Sequence, residues 1–282
     1  MGESTSYRPA SPSELREMVA WAAAEEQPLE LVGRGSKRGL GRPVDSPAVV
    51  SLDGLAGISL YEPDELVMSA AAGTPLALIE SELAERGQEL AFEPADYGAL
   101  LGGEAGRQSI GGVFACNLAG PRRLKSGAAR DHLLGLHCVT GHAQEIKTGG
   151  RVVKNVTGYD LCKLLTGSYG TLAALTQVTF KVMPRAEASL TLLATGTHEP
   201  ALLALLRAAT GTPCEISGAA YLPPLAAGRS RVDMVRSAAR GVAAIRLEGF
   251  APSIAYRSGL LQQLLAKAIP GPASNCCSRP LR

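Results

Sequence analysis

The chain has 282 residues, 46% hydrophobic and 19% charged, with a formal net charge of +2, a composition ordinary for a soluble globular protein and a length sufficient for two domains. Aromatic residues make up only 4%, too few for recognition of nucleic acid by base stacking. The small net charge hides an asymmetry: residues 1–106 hold 7 Lys/Arg against 18 Asp/Glu, residues 107–185 hold 11 against 3, and residues 186–282 hold 10 against 5, so the middle of the chain is suited to face an anion.

The polar N-terminus runs directly into a helix, with no signal-peptide pattern. No apolar run reaches the length of a membrane span, so a cytoplasmic protein without a transmembrane segment is expected. Ser11-Pro12-Ser13-Glu14 is a capping box with proline at the first helical position, and Leu15, Met18, Val19 and Ala22 give the helix one apolar face. Residues 29–32 read as a short buried strand entering Gly33-Arg34-Gly35-Ser36-Lys37-Arg38-Gly39. Residues 49–52, 58–61 and 66–72 read as further strands. Thr74-Pro75 starts a helix through Leu76, Ile79 and Leu83 that Gly87 stops. Residues 90–92 return as a strand.

Residues 133–140 and 143–148 flank Gly141-His142, a two-residue connection that predicts a type II′ hairpin. A short helix is expected over 159–166, between Gly158 and Gly167, and a long strand over 172–183, closed by Pro184. This order is α+β, with more strand than helix and without the regular βαβ alternation of a doubly wound sheet. Pro184-Arg185 marks a domain boundary. Beyond it, strand 189–194, helix 200–209, strands 214–221 and 242–247 and helix 254–268 give βαββα, one strand short of a ferredoxin-like βαββαβ unit. Residues 270–282 lack periodicity and read as an unstructured tail. The expected domains are therefore 1–185, a partial domain at 186–269 in a chain that reads as truncated at its C-terminus, and the tail.

The glycine- and cation-rich turn after residue 32 can present successive backbone N–H groups to phosphate oxygens. It matches neither GxGxxG nor a Walker loop, and the alternative is a tight turn with solvated Arg and Lys. Ser109-Ile110-Gly111-Gly112 runs on to Asn117 and Gly120. The glycine pair lets a flat ligand approach the main chain, and Asn117 offers an amide to a ring or ribose. The alternative here is a pair of glycine-kinked strands packing closely in the core. The six cysteines, Cys116, Cys138, Cys162, Cys214, Cys276 and Cys277, form no CxxC pair, which leaves zinc and iron–sulfur ligation unsupported. His132, His137, His142 and His198 fall in no catalytic pattern, and no catalytic residue is named.

An extended set of segments resembles the FAD-binding domain of the vanillyl-alcohol-oxidase-like (PCMH-type) flavoproteins. The segments are VGRGSKRGLG, EPADYGALLGGEAGRQSIGGVFACNLAGPRR, SGAARDHLLG and TGGRVVKNVTGYDLCKLLTGSYGTLAALTQVTFKVMP. The GPRR and KNVTGYD runs are similar, more narrowly, to the FAD-binding subunits of bacterial glycolate oxidase. The resemblance implies an α+β FAD domain of two subdomains followed by a ferredoxin-like cap domain. It implies pyrophosphate contacts from Arg34, Gly35, Ser36 and Lys37, and flavin contacts from Ser109, Ile110, Gly111 and Gly112. It puts Asn117, Gly120, Arg130 and Asp131 near the isoalloxazine and its supporting strands, and Gly170, Leu175 and Val178 near the adenosine end; on the residues themselves Asp131 is expected to brace Arg130 rather than act as a base. The first loop has no histidine, so non-covalent FAD is expected, its pyrophosphate held by backbone donors and cations that both loops supply. The implied partners are a second FAD-containing subunit and an iron–sulfur subunit. The substrate of the complex would be a small 2-hydroxy acid, and attachment to the inner membrane would be peripheral, through those partners. The alternatives are a stand-alone FAD-dependent dehydrogenase of the D-lactate type and a truncated, non-catalytic assembly subunit.

Overall fold

The computed structural model describes residues 5–42, 46–150, 158–196, 198–268 and 277–279. Residues 151–157, which include the start of the KNVTGYD run, lie outside the described residues, as do 269–276 and 280–282 of the expected tail. The chain divides into two compact units, one of Met1–Gly120 with Gly127–Pro184 and one of Pro121–Ser126 with Arg185–Arg282. Pro121–Ser126 thus belongs to the second unit, although the sequence runs through it without a break in pattern. No described helix is long and apolar enough to cross a membrane.

The first unit opens with β1 (Thr5–Tyr7), α1 (Pro12–Ala24), β2 (Leu29–Val32) and β3 (Ala48–Ser51), and β1 and β2 flank β3 in a parallel sheet. The Ser11 hydroxyl accepts from Glu14 N (3.2 Å) and the Glu14 carboxylate accepts from Ala10 N (2.8 Å). The first bond satisfies an N–H group that the start of a helix leaves unpaired, and the second ties the residue before the cap to the first turn. Leu15 and Val19 of α1 pack with Val50 and with Val139 and Ala174 of a second sheet.

That second sheet is built from the next stretch of chain. Its elements are β4 (Ile58–Glu62), β5 (Val67–Ala71), α2 (Leu76–Glu85), β6 (Gln88–Glu89), α3 (Ile110–Ala115) and, after the excursion through α4 (Arg123–Ser126) of the second unit, α5 (Ala129–His132), β7 (Leu133–Thr140), β8 (Glu145–Gly149), α6 (Leu161–Leu165), β9 (Ala173–Lys181) and β10 (Met183–Pro184). Five strands pair antiparallel in the order β4-β5-β9-β7-β8. One face carries α2 and α3, and Met68, Ile79, Leu83, Phe114, Val178 and Phe180 are fully buried there. Each such side chain contributes roughly 1.5–3 kcal/mol relative to an exposed one.

Four local expectations change. Residues 90–92 form no strand; the pairing is between β6 and β10 instead. The alternative reading of Gly111-Gly112 as part of a glycine-kinked strand pair falls, because the pair lies in the first turn of α3. The β7–β8 connection is not the two-residue II′ turn: Thr140 N donates to Gln144 O (3.0 Å), Ala143 N to Thr140 O (2.9 Å), and Ala143 takes the left-handed φ of 56°. Those features belong to a three-residue loop with a bulge. On β9, Leu175 faces Cys138 while Gln177 faces His137, which leaves Thr176 as an extra residue. The bulge re-phases the strand, so Leu175 and Val178, three apart, both face the core.

The second unit continues with β11 (Ala188–Gly196), α7 (Glu199–Thr210), β12 (Gly218–Leu222), α8 (Pro224–Gly228), α9 (Asp233–Arg236), β13 (Gly241–Gly249), α10 (Ala251–Ala268) and β14 (Cys277–Arg279). The antiparallel order is β12-β13-β11-β14. β14 supplies the fourth strand of a βαββαβ unit, which corrects both the count of one strand short and the reading of 277–279 as unstructured. Leu202, Leu205, Ile254 and Leu261 of α7 and α10 pack on Leu192 and Ile245. The helices α8 and α9, which the sequence did not announce, put Ala227 and Val235 against Leu193 and Val242. Arg122 secures Pro121–Ser126 to this unit by two bonds to Glu248 (Nε–Oε2 3.0 Å, Nη2–Oε1 2.9 Å).

Candidate functional site

The residues expected to bind cofactor lie in the first unit, and main-chain pairing brings their two principal segments together. Leu76 N donates to Gln108 O (2.9 Å), Ile110 N to Thr74 O (3.0 Å) and Gly111 N to Ala72 O (2.8 Å). The start of α3 is thereby fastened beside the end of β5. A Cβ on Gly111 would stand 2.6 Å from Ala72 Cβ and 2.7 Å from Ala72 O, so only glycine permits that approach. From the other side, β2 delivers the turn of residues 33–39, and a Cβ on Gly33 would overlap Ser109 Oγ. Lys37 Nζ lies 3.7 Å from where a Gly112 Cβ would stand. Two segments about seventy residues apart in sequence therefore meet.

The two segments differ in the donors they offer. Among the described residues the N–H groups of Gly35, Ser36 and Lys37 have no protein acceptor. Arg34 Nε is buried without a partner. The Lys37 ammonium donates to Ser36 Oγ (3.1 Å), and burial pushes its pKa down, an effect that the nearby Cys116 and the Asp96 carboxylate oppose. Arg38 is committed to Glu30 by two bonds of 2.8 and 2.6 Å. In the second segment the amides are already used: Ile110 and Gly111 donate to the fold, and Gly112 N donates to the Ser109 hydroxyl (3.3 Å) that caps α3. The expectation that both loops present main-chain amides is thus corrected, because the unpaired donors gather in the first turn. An unpaired buried guanidinium nitrogen, a half-buried ammonium and three unpaired amides suit a pyrophosphate, which accepts hydrogen bonds and carries negative charge.

Asp96 was not foreseen as part of this arrangement. Its carboxylate accepts from Gly98 N (2.8 Å) and Gly106 N (2.6 Å). Those two bonds, with the charge of Lys37, hold its pKa below the usual carboxylate range despite an opposing burial effect. They fold residues 97–106 into a loop whose Leu101 O stands 3.1 Å from the position of a Cβ on Gly39. The Asp-x-Gly spelling at 96–98 is the side-chain turn signal that could have revealed it.

The remaining expected residues divide. Asn117 has a left-handed φ of 49° and its side-chain oxygen accepts from Arg130 N (2.9 Å), so it clamps the start of α5. Gly120 N donates to Phe92 O (2.9 Å). The Asp131 carboxylate accepts from Ala128 N (2.9 Å) rather than bracing Arg130. The Arg130 side chain is exposed, and its carbonyl accepts from Lys163 Nζ. Gly170 stands beside Leu31, 3.6 Å from its Cδ1 to a Cβ position. Ile110, Leu175 and Val178 are 0%, 5% and 0% exposed. Their side chains lie in the hydrophobic core, which leaves the main chain as the part of each that can face a ligand. Of the histidines, His132 is buried against Phe92, with ring centroids 5.2 Å apart. His137 lies on β7, where burial and Lys147 lower its pKa. His142 sits exposed in the β7–β8 turn, and His198 precedes α7.

Residues 6–149 match the family model described as FAD binding domain. The chain is 45% identical over 178 residues to the glycolate oxidase subunit GlcE of Escherichia coli (strain K12), a match covering 63% of this chain and 49% of that protein. It is 30% identical over 179 residues to the D-lactate dehydrogenase of Archaeoglobus fulgidus, covering 63% of this chain and 38% of that protein. Among solved structures, alkyldihydroxyacetonephosphate synthase superposes with a TM-score of 0.74 at 14% identity, covering 97% of this chain and 51% of that one. The chain thus spans about half or less of the length of these proteins. The structural likeness establishes the shared α+β fold.

Proposed function

The chain belongs to the FAD binding domain family, and on that footing we propose that it is the FAD-holding subunit of a glycolate (2-hydroxy acid):acceptor oxidoreductase. The observation that carries this reading is the 45% identity to glycolate oxidase subunit GlcE, joined to a turn whose unpaired donors suit the cofactor's diphosphate. In this reading Arg34, Lys37 and the amides of Gly35, Ser36 and Lys37 take the pyrophosphate. Ser109 and Gly112 form the wall opposite, and Asn117 keeps a side-chain N–H to offer. Bound FAD would take up and pass on electrons within the complex, whose overall reaction oxidises the α-carbon of a 2-hydroxy acid.

With no covalent attachment point in the first turn, binding is non-covalent. The word "subunit" in the relative's name motivates the partners: a second FAD-containing subunit, which carries the glycolate site, and an iron–sulfur subunit. Membrane association, if the complex has it, runs through those partners. The domain limits follow the same reading, with residues 1–185 as the FAD domain and the following unit as its cap. The match to a D-lactate dehydrogenase favours, as second reading, a self-sufficient dehydrogenase.

Purified chain titrated with FAD, then exposed anaerobically to glycolate or D-lactate, separates the readings. The proposal expects stoichiometric FAD without bleaching by either acid until the partner subunits are added. Bleaching by D-lactate with the chain alone supports the second reading, and a chain that takes up no FAD contradicts both.

A further inference from the structure

Arg34 Nε and Gln108 Oε1 are buried with no hydrogen-bond partner. Among the described residues the other two atoms of this kind, on His132 and Arg246, belong to residues with further interactions. The two unpaired groups therefore fall on the two segments that meet at Gly33 and Ser109. Gln108 is 3% exposed. Its backbone carbonyl is used, accepting from Leu76 N (2.9 Å), and its side-chain amide makes no hydrogen bond among the described residues. A buried amide without a partner weakens a fold, and native proteins hold few of them. A methionine or leucine would fill the same space without that penalty, so a glutamine at this position asks for a reason outside the protein.

The reason is chemical complementarity. Pyrophosphate only accepts hydrogen bonds, so it satisfies Arg34 and Lys37 but offers nothing to a carbonyl oxygen. The donors that flank a dinucleotide's diphosphate are sugar hydroxyls, ribityl on one side and ribose on the other. We propose that Gln108 is a specificity-determining contact of the FAD site, its buried side-chain amide accepting a sugar hydroxyl next to the diphosphate that Arg34 and Lys37 hold. This assignment rests on the FAD reading given above.

The test is Gln108→Met, which keeps length and volume and removes the polar end. It is made in the full chain and measured in two ways. A contact made only with cofactor predicts opposite signs: the thermal midpoint of the FAD-free protein stays level or rises, while the dissociation constant for FAD rises about tenfold, the worth of one hydrogen bond. A merely structural amide lowers the midpoint. FMN and ADP-ribose as competing probes locate the hydroxyl. A loss confined to FAD and FMN assigns the ribityl chain, and a loss shared by FAD and ADP-ribose assigns the ribose. A variant that fails to fold or melts earlier than wild type overturns the proposal, and so does unchanged FAD affinity, the result expected if the amide meets only a trapped water. Wild-type chain that binds no FAD defeats the underlying reading instead, a result separable from the others because it appears without any substitution.

Discussion

Gly33 and Ser109 touch so closely that any side chain on residue 33 would occupy the space of the Ser109 hydroxyl. This contact fixes the distance between the turn after β2 and the start of α3, the two walls of the candidate site. Gly33→Ala should therefore push the walls apart and weaken FAD binding by tenfold or more, with a lower melting temperature. Adding Ser109→Ala removes the hydroxyl in the way, since Ser109 Cβ is 3.4 Å from the same point. The double variant should recover part of the lost affinity, and a calorimetric cycle on the four proteins reads that coupling. Additive losses would mean that the two residues do not meet.

Lys37 gives a pH signature. Burial lowers its pKa below the ordinary lysine value of 10.5, and the charged form is the one that attracts a diphosphate. FAD affinity should fall as pH rises through that lowered pKa, and Lys37→Met should abolish the dependence while lowering affinity several-fold at neutral pH. The FAD-free protein should behave in the opposite sense. Between the lowered pKa and 10.5 the unfolded chain binds more protons, so stability rises with pH there. Fluorescence titration and thermal melts from neutral pH up to the ordinary lysine value of 10.5 check both limbs.

Asp96 holds its loop through two backbone bonds. Asp96→Asn can accept through one oxygen only. Residues 97–106 should then become a preferred site of limited proteolysis, with FAD protecting the wild type better than the variant. Because its folded pKa is lowered by Gly106 and Gly98, the contribution of Asp96 is full above the ordinary carboxylate range. It is lost as pH falls through the lowered value. Cleavage patterns compared at neutral and acid pH test this.

In the second unit, burial alone would raise the Glu248 pKa, but bonds from Arg122 and Ser217 and the charges of Arg122 and Arg246 hold it low. Both partners of the Arg122–Glu248 pair are mostly buried, at 16% and 10% exposure. Arg122→Ala should cost about 3 kcal/mol, as removal of one member of a buried pair does. Glu248→Gln should flatten the acid limb of the stability profile, because the wild-type contribution disappears as pH falls through the lowered pKa. Urea melts at pH 7 and pH 4 measure both effects.

Much of this architecture was legible in the sequence because it depends on local rules. The Ser11 cap, the i, i+3, i+4 stripe of α1 and the Gly87 stop were readable from residue type and spacing. So was the meeting of residues 33–39 with 109–112, through glycine placement and the family resemblance. What escaped depends on tertiary partners. No local signal says that Ile110 N and Gly111 N are taken by Thr74 O and Ala72 O, so the second loop looked like a donor array. The bulge at Thr176 re-phases β9 and turns Leu175 and Val178 inward, which simple alternation cannot reveal. β14 is three residues long and is defined by its pairing with β11, so a segment without periodicity concealed it. Gln108 and Asp96 carry types too common in loops to stand out until their burial and partners are known.

The central claim is that the turn after β2, with the start of α3 as its opposite wall, receives the diphosphate of FAD. A crystal structure of the chain soaked or grown with FAD tests it most directly. The account predicts diphosphate oxygens within hydrogen-bond distance of the Gly35, Ser36 and Lys37 amides, with Arg34 Nε engaged. A flavin nucleotide bound elsewhere, with those donors still facing solvent, would contradict it.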